Sequence, residues 1–361
     1  MVLAPHPDDE SLATGGVLQA ASAERSEVRV LFITDGENNP WAQRAVEKRW
    51  HIGADERSRW GRRRRQEAIR ALAVLGVDPS AARFLGCEDQ HLSERLLEGA
   101  GLLHEEIESW RPTVLIVPSV RDRHPDHNAT AILTQVALLR LTPDSVPCRI
   151  LEYVVHPPSS GGAHPRARVY VPTRAERASK LRAILCHASQ LTLRRRFLTD
   201  FADRPEVFDE CRATRIDGED SGPLHALHPG PGQWSFAVRR SFRTMLGGAA
   251  LLLVLLSPDD SAALQVELPL GMTWRPWRGR APGAPMAEVV STRRGRDIHV
   301  RISTSPMAGE RVFVKLMLPR ERRLGMFDRW SWQSFDPATG WSAPLGRRPA
   351  RRARGRHRSL L

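Results

Sequence analysis

The sequence predicts an α/β fold with an open, mostly parallel sheet, helices on both faces, and a smaller β-rich module after it. Within the first 150 residues, short apolar runs alternate with segments whose apolar residues recur at helical spacing. The apolar runs are continuous rather than alternating, as in strands buried on both sides of a parallel sheet. Strand and helix in regular alternation indicate a Rossmann-like arrangement, in which ligands bind at the carboxyl ends of the strands.

The elements of this first part follow one another in order. Strands are predicted at residues 28–34, 113–118 and 149–155, and helices at 66–75 and 128–141. The segment LATGG at 12–16 opens a further helix just after the first strand. We assign residues 1–211 to this domain.

The amino-acid composition of the chain changes after residue 211. Residues 212–233 are rich in Gly, Pro and His and are predicted to be a linker. Short strands are then predicted at 264–268, 298–303 and 311–318, within a β-rich module of residues 234–346. The longest apolar run, 245–256, is too short for a transmembrane helix and is interpreted as a buried element.

Composition restricts the class of protein. The 361 residues are 41% hydrophobic and 26% charged, which is typical of a soluble globular protein. The net charge of +13 is concentrated in residues 57–65 and in the tail 347–361, whose arginines predict disorder. These arginines form a solvated surface or contact an anionic partner such as nucleic acid or lipid. Four cysteines without CxxC spacing and the lack of a signal-peptide pattern predict a cytoplasmic protein.

A dense polar cluster follows the first strand. The segment APHPDDE at 4–10 holds one imidazole and three carboxylates within five residues. So many acids are costly in a fold interior unless a cation compensates them. His6 and Asp9, three residues apart in a tight turn, are therefore candidate ligands of one divalent metal.

A second cluster, DRHPDH at 122–127, directly follows the strand at 113–118. If both strands belong to one parallel sheet, the two clusters share its edge. His6, Asp9 and His127 then supply three ligands, which leaves a position for water, as in catalytic zinc sites. Water activation also requires a base and an oxyanion donor, for which Asp8 and His124 are the candidates. Asp126 is expected to orient or charge one of the histidines, and in particular to keep His124 protonated.

These motifs resemble those of the LmbE-like, or PIG-L-like, zinc deacetylases. The resemblance covers about residues 1–210 and depends mainly on Pro5–Glu10 and His124–His127. Weaker agreement comes from further short segments: Gly15-Gly16, Thr34-Asp35-Gly36, Arg64 with Glu67, Lys180, and His187-Ala188-Ser189-Gln190.

The resemblance implies a function and a set of roles. It places His6, Asp9 and His127 at the zinc-ligand positions, Asp8 at the general-base position, and His124 at the residue that stabilises the tetrahedral intermediate or protonates the amine. One Zn²⁺ per chain is expected, with Fe²⁺ as an alternative. The implied reaction removes an acyl group, typically acetyl, from an N-acetylglucosamine-type amino sugar. An amidase for another acyl amide, such as a thiol conjugate, and a silent basic binding protein remain open.

Contacts with substrate are predicted less specifically. Arg64, His187 and Gln190 are the candidate substrate-binding residues. His187 and Gln190 are expected to share one face of a helix, where they contact substrate or belong to a buried network. The insert at 41–63 carries Trp41, Trp50 and Trp60, which serve sugar or anion recognition or pack the insert onto the sheet.

Overall fold

The structure is a computed structural model. It describes residues 1–157, 167–211, 224–230, 233–239, 241, 244, 249–256, 263–270, 277–281, 284–304, 311–318, 327–328, 330–336 and 340–341. The predicted disordered tail, 347–361, and most of the predicted linker lie outside these residues.

The first part of the chain forms a seven-stranded sheet with the order β3-β2-β1-β4-β5-β7-β6. Strands β1 to β5 are parallel, whereas β7 runs antiparallel to both β5 and β6. Its strands are β1 Val2–Ala4, β2 Val30–Thr34, β3 Ala82–Cys87, β4 Val114–Pro118, β5 Arg149–Tyr153, β6 Arg168–Tyr170 and β7 Glu206–Cys211. The predicted fold class is confirmed, and the strands predicted at 28–34, 113–118 and 149–155 are present.

The helices on this sheet are α1 Asp9–Ala23, α2 Pro40–Glu47, α3 Ala54–Val74, α4 Leu96–Trp110, α5 Pro125–Leu139, α6 Arg174–Cys186 and α7 Ala188–Thr199. Helix α3 begins twelve positions before the predicted residue 66. Its first half is mostly arginine and other long polar side chains, which favour helix without showing apolar periodicity. It ends where predicted, because Gly76 adopts a φ of 79°.

The later part of the chain forms two antiparallel five-stranded sheets, with the orders β11-β10-β15-β16-β17 and β12-β13-β14-β9-β8. Their strands are β8 Leu224–Gly230, β9 Gln233–Arg239, β10 Ala250–Leu256, β11 Ala263–Pro269, β12 Trp277–Ala281, β13 Ala284–Arg294, β14 Asp297–Thr304, β15 Arg311–Met317, β16 Gln333–Asp336 and β17 Gly340–Trp341. The strands predicted at 264–268, 298–303 and 311–318 are confirmed. The linker prediction is wrong for residues 224–230, because β8 pairs there with β9.

Strand β10 explains the long apolar run. Leu251, Leu253 and Leu255 pack into the core between the two antiparallel sheets. The alternate residues Leu252 and Val254 pack with residues of α4 and α5 in the core of the first domain. Because both faces of the strand are covered, neither face needs polar residues. Among the described residues, no helix is long and apolar enough to cross a membrane.

The double burial of β10 gives the first prediction. Leu252→Ala should lower the free energy of unfolding by about 2–5 kcal/mol, the usual cost of deleting a buried leucine side chain. Urea unfolding followed by circular dichroism measures this change, with the exposed Val169→Ala as control. A loss below about 0.5 kcal/mol would mean that the β10 sheet does not share a core with the α/β domain.

Candidate metal centre

The two polar clusters meet at the edge of the parallel sheet. Residues 5–8 follow β1, and residues 119–124 follow its neighbour β4. Strand β1 has β2 on its other side, so the strand order reverses between β1 and β4. This is the switch point at which open α/β sheets bind ligands.

The three predicted ligands converge there. Oδ2 of Asp9 lies 3.3 Å from Nδ1 of His6 and 3.2 Å from Nε2 of His127. Ligand atoms that bind tetrahedral zinc at about 2.0–2.2 Å lie about 3.3–3.5 Å apart, so these separations fit one ion. Nε2 of His127 is buried and makes no hydrogen bond with the described residues. The donor set therefore suits a divalent metal.

The Asp122 carboxylate contacts the predicted ligand His127. Its Oδ2 lies 3.0 Å from Nδ1 of His127, and the same oxygen accepts the backbone N–H groups of Val155 and His156 at 2.8 and 3.0 Å. Its Oδ1 accepts the N–H of His124 at 2.8 Å. A carboxylate on the far nitrogen of a ligating histidine fixes the ring and raises its basicity. Despite burial, Asp122 and Asp9 together raise the pKa of His127 to about 10.

Asp126 and Asp89 contact the other predicted ligand histidine, His6. Oδ1 of Asp89 and Oδ2 of Asp126 each lie 3.3 Å from Nε2 of His6. These three side chains form a second group whose donor atoms lie within 4.8 Å of one another. Burial opposes the charge of His6, but Asp126, Asp89 and Asp9 raise its pKa well above the ordinary value. Asp126 was expected to orient one of the histidines of the site, and the histidine that it contacts is His6.

The surroundings of His124 do not match the expectation that Asp126 keeps its ring protonated. His124 is the N-cap of α5, and its Nδ1 accepts the backbone N–H of Asp126 at 3.2 Å. A helix N-terminus leaves N–H groups without partners, and the imidazole satisfies one of them. Burial lowers the pKa of His124 well below the ordinary value, and the neighbouring His6 and His127 lower it further. Because Nδ1 accepts a hydrogen bond, Nε2 is the ring nitrogen that can carry a proton.

His124 also lies near the ligand histidines. One nitrogen each of His6, His124 and His127 falls within 4.8 Å of the others. The predicted ligand set has Asp9 in place of His124, and Oδ2 of Asp9 lies 3.3 and 3.2 Å from nitrogens of His6 and His127.

Asp8 is held in place by Arg64. The Asp8 backbone has a φ of 155°, which side chains rarely adopt, and its N–H is held by Oε2 of Glu10 at 2.9 Å. Nη2 of Arg64 lies 3.2 Å from the Asp8 carboxylate and also donates to the carbonyl oxygen of Pro7. Nη1 donates to the carbonyl of Gly36, where a Cβ would collide with the guanidinium. Burial raises the pKa of Asp8 to about 6, although Arg64 opposes this.

Arg64, His187 and Gln190 all lie in buried hydrogen-bond networks. His187 Nε2 lies 3.0 Å from Oε1 of Glu10, and Gln190 bonds with Asn39 and Ser189. His187 and Gln190 do not share a helix face, because His187 is the junction residue between α6 and α7. Arg64 and His187 connect α3 and the α6–α7 junction to residues 7–10, whereas Gln190 connects α7 to Asn39 before α2. Contact of the three side chains with substrate stays a prediction.

Two residues of this site were missed in the sequence. His156 follows β5, and its ring centroid lies 5.4 Å from that of His127 and 5.7 Å from that of His124. A polar residue directly after the strand predicted at 149–155 was the available signal. Asp89 follows β3, a strand that the sequence analysis did not identify.

The tryptophans of the insert divide into two kinds. Trp60 is fully buried, whereas Trp41 is 54% and Trp50 is 82% exposed. The guanidinium of Arg44 lies 5.2 Å from the ring of Trp41 and 5.4 Å from that of Trp50. Packing of the insert therefore accounts for the position of Trp60, but not for the exposed Trp41 and Trp50.

The fold and the site define an α/β protein with a candidate metal centre at the switch point of its sheet. The family described as "PIG-L: GlcNAc-PI de-N-acetylase" matches residues 1–138. A 1D-myo-inositol 2-acetamido-2-deoxy-alpha-D-glucopyranoside deacetylase of Mycobacteroides abscessus is 30% identical over 240 residues, which are 54% of this chain and 81% of that protein. The chain belongs to the PIG-L, or LmbE-like, family.

Two further comparisons concern extent and fold. The deacetylase of the same name from Mycobacterium sp. (strain KMS) is 31% identical over 37% of this chain, and the chain spans about half, 48%, of that relative's length. A deacetylase triple mutant of the teicoplanin biosynthetic pathway aligns with a TM-score of 0.47 and 22% identity, over 59% of this chain and 98% of that structure.

The position of Asp122 gives the second prediction. Asp122→Ala should weaken metal binding by about 10–100-fold, because His127 loses the carboxylate that orients it. Competition with a chromogenic chelator measures the dissociation constant, and the exposed Asp144→Ala serves as control. Unchanged metal affinity in a folded Asp122→Ala protein would show that this carboxylate does not tune the site.

Proposed function

We propose that this protein is a metal-dependent N-deacetylase that hydrolyses the acetamide of an N-acetylglucosamine-type amino sugar. The observation that carries the proposal is the convergence of His6, Asp9 and His127 at the switch point. The sequence positions of Asp8, one residue before a ligand, and of His124, three residues before another, support it.

His6, Asp9 and His127 would hold one Zn²⁺, with Fe²⁺ compatible with the same nitrogen and oxygen donors. When bound, the metal would supply Lewis-acid activation of water and of the amide carbonyl. The outer carboxylates of Asp122, Asp126 and Asp89 keep the two imidazoles in fixed orientations. The buried negative charge of these carboxylates favours a cation at this position.

Asp8 is the proposed general base. Its carboxylate accepts a proton from the attacking water while a new C–O bond forms at the amide carbon. Arg64 and Glu10 fix the Asp8 main chain and side chain, so the base has one orientation. A carboxyl group whose pKa is raised toward neutrality is a better base than an ordinary aspartate.

His124 is the proposed donor. Because its Nδ1 accepts the Asp126 N–H, Nε2 carries the hydrogen and can stabilise the oxygen of the tetrahedral intermediate. When the C–N bond breaks, the proton that Asp8 took from water is available to the leaving amine, directly or by way of His124. The products are acetate and the free amino sugar.

The substrate class rests on the relatives. The printed name of the Mycobacteroides abscessus relative specifies a 2-acetamido-2-deoxy-glucopyranoside linked to inositol. We therefore propose an N-acetylglucosamine conjugate as the substrate of this chain. A panel of such conjugates, assayed for acetate and free amine with and without chelator, tests the proposal. Absence of release from every conjugate by the metal-loaded protein would reject it.

Asp8→Asn separates a base from a ligand and gives the third prediction. With the best substrate of that panel, kcat should fall by about 10²–10⁴-fold, the usual contribution of a general base. Metal content, measured by atomic emission, should stay at the wild-type value, since Asp8 is not in the ligand set. Parallel loss of metal and activity would show that Asp8 is a ligand.

His124→Asn tests the donor and gives the fourth prediction. Asparagine also caps helices, so α5 should keep its N-terminal hydrogen bond and the unfolding midpoint should change little. The rate constant kcat should fall about a hundredfold or more, as for other lost oxyanion donors, with metal content unchanged. Wild-type kcat in this variant would assign the donor role to another group.

A further inference from the structure

A lysine lies on a strand face that is otherwise apolar. In β15, Phe313 and Met317 pack into the core shared with α4 and α5, and Lys315 lies between them on the same face. Its side chain is fully buried. A buried ammonium costs several kcal/mol unless it is paired and hydrogen-bonded, so its partners show what it does.

Those partners join the β-rich part of the chain to the helix that carries His127. Nζ of Lys315 donates to Oδ1 of Asn128 at 2.7 Å and forms an ion pair with Asp328. Nε1 of Trp332 donates to the same Asn128 oxygen at 3.2 Å. Nδ2 of Asn128 donates to Oδ2 of Asp328 at 3.0 Å. Three residues of the β-rich part thus hold one amide side chain.

Asn128 is also connected to the metal ligand. It follows His127 directly in α5, and its Nδ2 donates to the carbonyl of Asp122 at 3.2 Å. The Asp122 carboxylate in turn lies 3.0 Å from Nδ1 of His127. A chain of buried polar contacts therefore runs from Lys315 through Asn128 and Asp122 to the ligand.

The same part of the chain also contacts residues beside His124. The N–H of Asp328 donates to the carbonyl of Arg123, next to His124, at 2.8 Å. This bond places the ring of Phe327 4.7 Å from that of His156 and 5.7 Å from that of His124. The ring of Phe197 stacks on His156 at 5.8 Å. Phe327, which is half-buried, forms an aromatic wall together with His156 and Phe197.

We propose that the β-rich part of the chain completes the metal centre and is not an appended module. Lys315 is a positioning residue that acts on His127 through Asn128 and Asp122. Phe327 is a specificity-determining residue on the wall beside His124, and it contacts the apolar surface of bulky substrates. The role of Phe327 rests on the proposed amide hydrolysis, whereas the role of Lys315 concerns metal affinity and holds without it.

The test of Lys315 uses the full chain and Zn²⁺ with a competing chelator. Lys315→Met leaves Asp328 buried without its cation and risks unfolding, so Lys315→Met with Asp328→Leu is the main variant, because no buried charge stays unpaired. The double variant should bind Zn²⁺ about 10–100-fold more weakly than the wild type. This is the fifth prediction.

Two controls separate positioning from stability. Arg301→Met removes an exposed cation from β14 and should leave the Zn²⁺ affinity unchanged. Leu256→Ala deletes a buried side chain from the same core, four residues along β10 from Leu252, which pairs with Lys315, so its Zn²⁺ affinity should also be that of the wild type once it is folded. An equal loss of affinity in Leu256→Ala, or wild-type affinity in the folded double variant, would overturn the role of Lys315.

Phe327→Ala tests the wall. For a conjugate with a bulky apolar aglycone, KM should rise about tenfold or more while kcat changes little, because the deleted ring contacts substrate and not the reacting atoms. For N-acetylglucosamine itself, KM should be unchanged, and Zn²⁺ affinity should stay at the wild-type value. An equal rise of KM for both substrates, or no rise for either, would remove Phe327 from specificity. Zn²⁺ affinity is measured without substrate. The test of Lys315 therefore stays valid even if the protein does not catalyse the proposed reaction.

Discussion

The structure depends on one constraint, which is the burial of carboxylates against imidazoles at the carboxyl ends of β1 and β4. Asp9, Asp122 and Asp126 are all nearly inaccessible, and each lies within 3.3 Å of a histidine nitrogen. Such a cluster is stable only if its charges are compensated and its atoms are fixed. The proposed divalent cation would compensate the charge at its centre, and the surrounding hydrogen bonds fix the atoms.

Those hydrogen bonds come from elements far apart in the sequence. Arg64 of α3 fixes Asp8, and Glu10 in the first turn of α1 binds both the Asp8 N–H and His187. Glu67, one turn after Arg64, accepts from the hydroxyl and the N–H of Ser189 at 2.5 and 3.0 Å. Arg64 and His187, which the sequence suggested as substrate contacts, therefore support Asp8, the proposed general base, directly and through Glu10. The unusual backbone of Asp8 is maintained by this scaffold.

The β-rich part of the chain supports the side of the site on which His127 lies. Its β10 strand is covered on both faces, so the sheet that it belongs to shares one core with the α/β domain. That shared core brings Lys315, Asp328 and Trp332 to the helix that carries His127. Packing of the second sheet thereby places three side chains of the β-rich part on Asn128, the residue next to the proposed ligand His127.

The sequence by itself determined the parallel sheet, the position of the site at its edge, and the three residues that converge there. These follow from local patterns, since continuous apolar runs mark strands and polar clusters directly after them mark strand ends. The sequence could not show which carboxylate faces which histidine. The sequence suggested that Asp126 interacts with His124. In the structure, the His124 ring caps the N-terminus of α5, and the Asp126 carboxylate lies beside His6. Nor could the sequence place Lys315 or Phe327 near His127, because contacts between residues about 190 positions apart arise only when sheets and helices pack. Local pattern fixes the elements, and the burial of both faces of β10 brings the second sheet to the helix that carries His127.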